Sequence, residues 1–178
     1  MSRISQIDPT TATGRAKELL DAVKGKLGLV PNMTRAMANA PAVLDGYLQL
    51  RGALSKGSMP SKVREQIALA ISQANGCDYC LAAHSSIART VGLTAEQIRD
   101  SRLGNAVDPN ADALIRFARK VVDTRGRVGD NDLDDVRKAG FDDGAIAEVV
   151  ANVALMIFTN YFNLVADPDI DFPRAPEV

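Results

Sequence analysis

The sequence predicts an all-helical protein, and three observations lead to that prediction. Apolar residues recur at the three-to-four-residue spacing of amphipathic helices along most of the chain, and strand-like alternation is almost absent. Glycines and prolines punctuate these segments at positions that suit helix ends and helix starts. Hydrophobic residues make up 46% of the 178 residues, which is enough for a substantial core. We therefore expect a single helical-bundle domain over residues 1–178.

Nine helices are expected, and several carry recognisable boundary signals. Gly28 and Gly92 end helices, and Pro41 suits the first turn of one. Thr94 and Gln97 form a capping-box pattern. The predicted helices cover residues 13–28, 32–40, 41–55, 60–75, 77–91, 95–101, 110–124, 131–140 and 143–167. The proline-rich segment 168–178 is expected to be extended.

Charge and hydropathy exclude several classes of function. The formal net charge is -1 and the isoelectric point is near 5.8, which argues against nucleic acid as the main partner. The first ten residues have no apolar core, so we do not expect a signal peptide. The most apolar segment is interrupted by Glu148, Asn152 and Asn160, which a membrane span rarely tolerates. The sequence therefore predicts a soluble, cytoplasmic protein without a membrane partner.

The two halves of the chain resemble each other weakly. A shift of 83 residues aligns Glu65 with Glu148 and Leu81 with Leu164, while Cys80 falls on Asn163. This pattern favours an internal pseudo-repeat of helical units in which the first copy alone kept its thiols. Chance alignment is the alternative, because the identities are few.

The segment NGCDYCLAAH holds both cysteines of the chain, Cys77 and Cys80, and its single histidine, His84. Spacings of three and four residues place the three side chains on one face of a helix. The Asn75-Gly76 break puts Cys77 in the first turn, where unpaired backbone N–H groups and the helix dipole favour a thiolate. The trio thus offers an activated thiolate, a second thiol to form a disulfide, and a base.

Glu65 is the fourth candidate residue. It lies twelve residues before Cys77, on the preceding helix, and a bend at Gly76 would fold it back toward His84. A buried carboxylate there would hold the imidazole in one tautomer and raise its basicity.

Other interpretations of these residues remain open from the sequence. The cysteines and the histidine fit ordinary buried positions of a helix, and Glu65 alone fits a surface position. A zinc site is a chemical alternative, but the chain lacks a second pair of ligands, and ligands from one helix close a tetrahedron poorly. We therefore expect neither a metal nor a cofactor.

The full pattern, Glu65-x11-Cys77-x2-Cys80-x3-His84, resembles the signature of the alkyl hydroperoxidase D-like, peroxidase-related branch of the carboxymuconolactone decarboxylase superfamily. The resemblance spans roughly residues 30–172, the core of the predicted domain. It implies an all-helical fold, assembly into trimers or hexamers, and alkyl hydroperoxide reductase activity of the peroxiredoxin type.

The resemblance also implies roles for the four residues. Cys80 would be the peroxidatic cysteine and Cys77 the resolving one, with Glu65 and His84 as the proton relay. A dithiol reductant, either a lipoyl-bearing or a thioredoxin-like protein, would reopen the disulfide. The sequence departs from the best-known branch at Tyr79, where that branch has a second histidine. A phenol has a pKa of about 10 and carries protons poorly at neutral pH, so the relay would be shorter than one with a histidine at this position.

Three functional hypotheses follow. The first is a thiol peroxidase, and the second is a general dithiol-disulfide oxidoreductase without special peroxide chemistry. The third is a non-catalytic redox sensor whose Cys77–Cys80 state controls a partner surface. Sustained turnover separates both enzymes from the sensor, and the rate with hydroperoxides separates the two enzymes.

Overall fold

A computed structural model describes residues 2–178, which fold into nine helices with no β-strand among them. The helices are α1 (Gly14–Leu27), α2 (Asn32–Met37), α3 (Pro41–Leu54), α4 (Ser61–Ala74), α5 (Asp78–Thr90), α6 (Ala95–Arg102), α7 (Pro109–Asp123), α8 (Asp130–Lys138) and α9 (Asp143–Ala166). The predicted all-helical class is confirmed.

The boundary signals act as the sequence predicts. Gly28 follows α1 with φ of 74°, a left-handed conformation that glycine adopts without a steric cost. Thr94 Oγ1 accepts a hydrogen bond from the Gln97 backbone N–H at 3.2 Å, and Gln97 Oε1 accepts one from the Thr94 backbone N–H at 2.9 Å. The predicted helix over residues 32–40 is too long, because α2 ends at Met37. Ala40 has an extended backbone conformation, as is usual for a residue directly before a proline.

Helix α4 lies at the centre of the fold and packs against α5, α6, α7 and α9. Its residues from Gln66 to Ser72 are all buried, on every side of the helix. The run consists largely of isoleucine, leucine and alanine. It therefore buries apolar surface on all sides of the helix, which stabilises the fold, and it contains few polar groups that need hydrogen-bond partners. This helix therefore fixes the positions of the elements around it.

The buried side chains form distinct clusters around α4. One cluster joins α4 to α7 and α9 through residues such as Ile71, Leu114 and Val153. A second joins α1, α2 and α3 to the start of α5 and contains Cys77, Tyr79 and Cys80. The two cysteines thus lie inside an apolar cluster rather than on a polar surface.

Helix α9 is long and apolar enough to cross a membrane by length and composition. Half of its most apolar window is buried inside the fold, as in the core helix of a globular domain. Its outward side carries exposed apolar residues, which we call the outer face of α9: Val150, Phe158, Tyr161, Leu164 and Val165.

The predicted internal repeat stays a prediction. Helix α9 runs unbroken through the positions that the 83-residue shift aligns with the break between α4 and α5. The aligned residues Cys80 and Asn163 do lie in contact, with Asn163 Nδ2 3.2 Å from Cys80 Sγ. The two halves therefore meet at this pair, but only the first has the helix break.

Glu148 clamps the loop before α4 to α9. Its carboxylate accepts hydrogen bonds from the Ser58 backbone N–H at 2.7 Å, the Ser58 hydroxyl at 2.8 Å and the Met59 backbone N–H at 2.9 Å. These donors, the two backbone N–H groups first, hold the pKa of Glu148 below its usual value. Gly57 makes the approach possible, because a Cβ there would lie 2.6 Å from Glu148 Oε2.

We expect Glu148→Gln to lower the free energy of unfolding at neutral pH by about 1 kcal/mol, because the amide accepts these hydrogen bonds less strongly than the carboxylate. Since folding lowers the pKa of Glu148, its contribution is present above the unfolded-state pKa and is lost as pH falls through the folded-state pKa. Urea unfolding at neutral and acidic pH measures both effects. Glu96→Gln, on the exposed side of α6, is the control. Equal losses for both variants would contradict the role of the clamp.

Candidate active site

The site begins at the reversal between α4 and α5. Asn75 ends α4, Gly76 adopts φ of 65°, and the Cys77 backbone N–H donates to the Ser72 carbonyl at 3.0 Å. This left-handed step suits glycine and turns the chain within three residues. Helix α5 consequently folds back along α4, as the Asn75-Gly76 pattern predicts.

Cys77 is the N-cap of α5, and its Sγ accepts a hydrogen bond from the Cys80 backbone N–H at 3.3 Å. Cys77 and Cys80 are joined as a disulfide, with Cα atoms 5.3 Å apart. Their exposed fractions are only 1% and 3%. The predicted redox pair therefore lies at a helix N-terminus, where the helix dipole favours a thiolate once the disulfide is opened.

Glu65 and His84 meet as the bend at Gly76 predicts. Glu65 Oε2 lies 2.7 Å from His84 Nδ1, and the exposed fractions of the two side chains are 15% and 21%. A carboxylate accepts but does not donate, so Nδ1 carries the proton of this hydrogen bond. His84 Nε2 is then the nitrogen that remains for proton exchange, one helical turn after Cys80.

The sequence did not single out Asn163 as a site residue. It is 4% exposed on α9, and its Nδ2 lies 3.2 Å from Cys80 Sγ and 3.2 Å from Met33 Sδ. The one signal in the sequence was the 83-residue shift, which aligned Asn163 with Cys80 without implying a contact.

Tyr79 holds the C-terminal segment against the site. Its hydroxyl donates to Asp171 Oδ1 at 2.7 Å and accepts from the Met33 backbone N–H at 3.2 Å. Asp171 Oδ2 also accepts from the Asn32 backbone N–H at 2.8 Å, and the Phe172 ring packs edge-on against Tyr79 at 5.8 Å. The phenol is therefore occupied by structural partners.

Burial raises the pKa of Tyr79 far above its usual value, and the neighbouring Asp171 carboxylate raises it further. The hydroxyl consequently stays protonated at neutral pH. This supports the expectation that any proton relay is shorter than one with a histidine at this position.

Helix α3 brings a second phenol and a cation toward Glu65. Burial raises the pKa of Tyr47, the Arg51 guanidinium lowers it, and the Glu65 carboxylate raises it. Tyr47 therefore lies within electrostatic range of Glu65, which the sequence did not indicate.

Neither a cluster of metal ligands nor the surface cavity described below adds to the site in the described part of the chain. Within residues 2–178, no group of three or more His, Cys, Asp or Glu side chains is arranged to hold a metal ion. A surface cavity of about 330 Å³ lies between α4 and α6, where Lys62, Gln66 and Asp100 line it. It is separate from the cysteine pair.

The segment that holds the paired cysteines and the Glu65–His84 contact is similar to a known family. Residues 41–124 match the carboxymuconolactone decarboxylase family. The matched range runs from α3 to α7 and includes all four predicted site residues. No curated protein matches the chain by sequence.

Solved structures share the fold. An alkylhydroperoxidase AhpD core, a peroxidase-related protein from Ralstonia eutropha JMP134, has a TM-score of 0.86 at 24% identity over 96% of this chain and 92% of its own. A peroxidase-related protein from Silicibacter sp. TM1040 has a TM-score of 0.81 at 21% identity, over 97% of each chain. A cysteine-to-alanine variant of the debrominase Bmp8, in complex with 2,3,4-tribromopyrrole, has a TM-score of 0.79 at 18% identity, over 96% and 92%.

We expect Tyr79→Phe to lower the free energy of unfolding by about 1–3 kcal/mol, because the Met33 N–H and the Asp171 carboxylate both lose a partner. Thermal unfolding measures the loss. The rate of thiol oxidation by a hydroperoxide should change little in the folded variant, since the phenol does not transfer protons.

Thr90→Val is the control, because Thr90 is exposed at the end of α5 and its hydroxyl donates to the Ile87 carbonyl of its own helix at 2.7 Å. A large decrease in oxidation rate for Tyr79→Phe, with stability unchanged, would show that the phenol belongs to the relay instead.

Proposed function

We propose that the protein reduces hydroperoxides by thiol chemistry at Cys77 and Cys80, with Glu65 and His84 as the proton relay. The observation that carries the proposal is the 2.7 Å contact between Glu65 and His84, one helical turn from a cysteine pair that forms a disulfide. A carboxylate-oriented imidazole beside a thiol is the usual arrangement for activating a nucleophile.

The first step oxidises Cys80. His84 takes the thiol proton, and the Cys80 thiolate attacks the distal oxygen of the hydroperoxide. A sulfur–oxygen bond forms and the oxygen–oxygen bond breaks, which gives a sulfenic acid and an alkoxide. The alkoxide takes the proton from His84 and leaves as an alcohol, so the imidazole returns to its starting state.

The second step closes the disulfide. The Cys77 thiol attacks the Cys80 sulfenic acid, the sulfur–oxygen bond breaks, and water leaves. The short separation of the two cysteines, with Cα atoms 5.3 Å apart, supports this step.

A dithiol reductant then resets the site. One of its thiolates attacks the disulfide to give a mixed disulfide, and its second thiol displaces the protein thiol, so that the reductant leaves oxidised. We propose a lipoyl-bearing or thioredoxin-like protein in this role. With exposed fractions of 1% and 3% at the two cysteines, a slender lipoyl arm suits the site better than a broad protein surface.

Two of the similar structures are described as peroxidase-related, which agrees with this proposal. Burial of the disulfide also supports peroxide chemistry over general disulfide exchange, because a small hydroperoxide reaches a buried sulfur more readily than a protein disulfide does. The debrominase shows that the fold also serves another reaction, so 2,3,4-tribromopyrrole is a useful comparison substrate.

We expect the reduced protein to oxidise rapidly with an organic hydroperoxide to the Cys77–Cys80 disulfide. Cys80→Ser should abolish the fast phase, and His84→Ala should slow it by roughly 10²–10⁴, the usual contribution of a positioned base. Glu65→Gln should cause a smaller decrease, because it removes the carboxylate that orients the imidazole. Stopped-flow measurement of thiol loss, with mass spectrometry of the product, gives these rates.

Glu96→Gln serves again as a control that keeps the wild-type rate. Oxidation no faster than that of a free thiol, and indifferent to His84→Ala, would exclude the hydroperoxide as substrate. Faster turnover of small disulfides would then favour the general oxidoreductase, and a single oxidation without turnover would favour the sensor.

We also propose that the chain forms a homo-oligomer, a trimer or hexamer, through the outer face of α9. Exposed apolar residues there recur at spacings of three and four along the helix, as in a helix that packs on a partner. Phe158 and Tyr161 are aromatic residues of the kind enriched at subunit interfaces.

We expect Phe158→Lys to reduce the assembled mass in light scattering toward that of one chain, because it places a charge in the apolar contact. Val107→Lys is the control, since Val107 is 82% exposed in the loop before α7, away from α9. A monomeric wild type, or equal behaviour of the two variants, would overturn this assignment.

A further inference from the structure

Asn163 is a buried amide in direct contact with the reacting sulfur. It projects from α9 to Cys80 on α5, with Nδ2 3.2 Å from Cys80 Sγ and an exposed fraction of 4%. The same nitrogen lies 3.2 Å from Met33 Sδ. The proposed relay of Glu65 and His84 does not use this amide.

The orientation of the amide follows from the chemistry of its neighbours. Neither the thioether sulfur of Met33 nor a disulfide sulfur carries a hydrogen, so both can only accept. The N–H₂ end of Asn163 therefore faces the two sulfurs, since the opposite orientation would place lone pairs against lone pairs.

The other end of the amide is left without a partner. Asn163 Oδ1 is buried and has no hydrogen-bond partner among residues 2–178. A buried carbonyl oxygen that lacks a donor costs free energy, so such an atom is usually explained by a function. Here the unpartnered acceptor belongs to the same amide that contacts Cys80, which places it beside the position that a substrate must occupy.

We propose that Asn163 is a further catalytic residue, with a separate task for each end of its amide. Nδ2–H donates to Cys80 Sγ and stabilises the thiolate, and Oδ1 accepts the O–H of the distal hydroperoxide oxygen. The inference deepens the proposed function and rests on it for the substrate.

The two contacts fit the balance of the first step. The thiolate attacks the distal oxygen while that oxygen keeps its hydrogen, so the O–H held by Oδ1 becomes the O–H of the sulfenic acid. The proton on His84 goes to the departing alkoxide. One amide thus stabilises the attacking sulfur and orients the oxygen that it attacks, without gaining or losing a proton itself.

Asn152 provides a control on the same helix. It is 7% exposed, and its Nδ2 donates to the Glu148 carbonyl of α9 itself at 2.8 Å. It has the same chemistry and the same helix as Asn163, but it lies eleven residues before it and its hydrogen bond stays within the helix.

The first experiment measures the Cys80 thiolate alone. In a Cys77→Ala background Cys80 is the single thiol, so thiolate absorbance against pH gives its pKa. We expect Asn163→Ala to raise this pKa by about one unit, a roughly tenfold change, because a hydrogen bond to a charged group is lost. Asn163→Asp, nearly the same size, should raise it further, since it sets a carboxylate against the sulfur. Asn152→Ala should leave it unchanged.

The second experiment tests the carbonyl end. Second-order rate constants, corrected for the fraction of thiolate, are compared for cumene hydroperoxide and methyl methanethiosulfonate, a thiol reagent without a hydrogen-bond donor. Asn163→Ala should lower the hydroperoxide rate several-fold more than the thiosulfonate rate, and Asn152→Ala should lower neither selectively.

Each part can fail separately. An unchanged thiolate pKa in both Asn163 variants overturns the role of Nδ2, and equal changes for the two reagents overturn the role of Oδ1. The pKa measurement contains no peroxide, so it stands even if the wild type does not reduce hydroperoxides. If Asn163→Ala does not fold, Asn163→Asp gives the pKa readout, and Asn163→Leu, which is similar in size and has no acceptor, gives the comparison of rates.

Discussion

The chain reversal at residues 75–77 is the constraint on which the site depends. With α4 and α5 as one straight helix, Glu65 and His84 would lie nineteen residues apart along a rod, near 28 Å at 1.5 Å per residue. The left-handed step at Gly76 brings them to 2.7 Å. The same step gives Cys77 the N-cap position of a new helix. One backbone conformation therefore brings Glu65 into contact with His84 and also places Cys77 at the N-terminus of α5.

The surroundings of the cysteines combine apolar burial with a few aimed donors. Burial alone disfavours a thiolate, since charge loses its solvation. The N-terminus of α5 and the amide of Asn163 act in the opposite direction, with partial positive charge close to Sγ. The cysteine sulfurs are therefore shielded from solvent and at the same time contacted by polar N–H groups of the protein.

Much of this site could be predicted from local sequence. Cys77, Cys80 and His84 share one helix, so their spacing fixes their common face, and the Asn75-Gly76 pair marks the turn that brings Glu65 to them. Contacts between distant segments could not be found in this way. Asn163 reaches Cys80 across 83 residues of chain, and Tyr79 finds Asp171 across 92. Such pairs depend on how helices dock, which the periodicity of one segment does not encode.

Tyr79 stands between the two cysteines in the sequence, and its hydroxyl is fastened to Asp171 beyond the end of α9. The last segment of the chain therefore covers part of the apolar cluster that contains the two cysteines, and Tyr79 anchors it there. A protein that ended with α9 would keep every residue of the proposed chemistry but lose this cover. Ile170 and Phe172 pack against the cluster that contains Cys77, Tyr79 and Cys80, so removal of the tail would expose part of that apolar cluster to water.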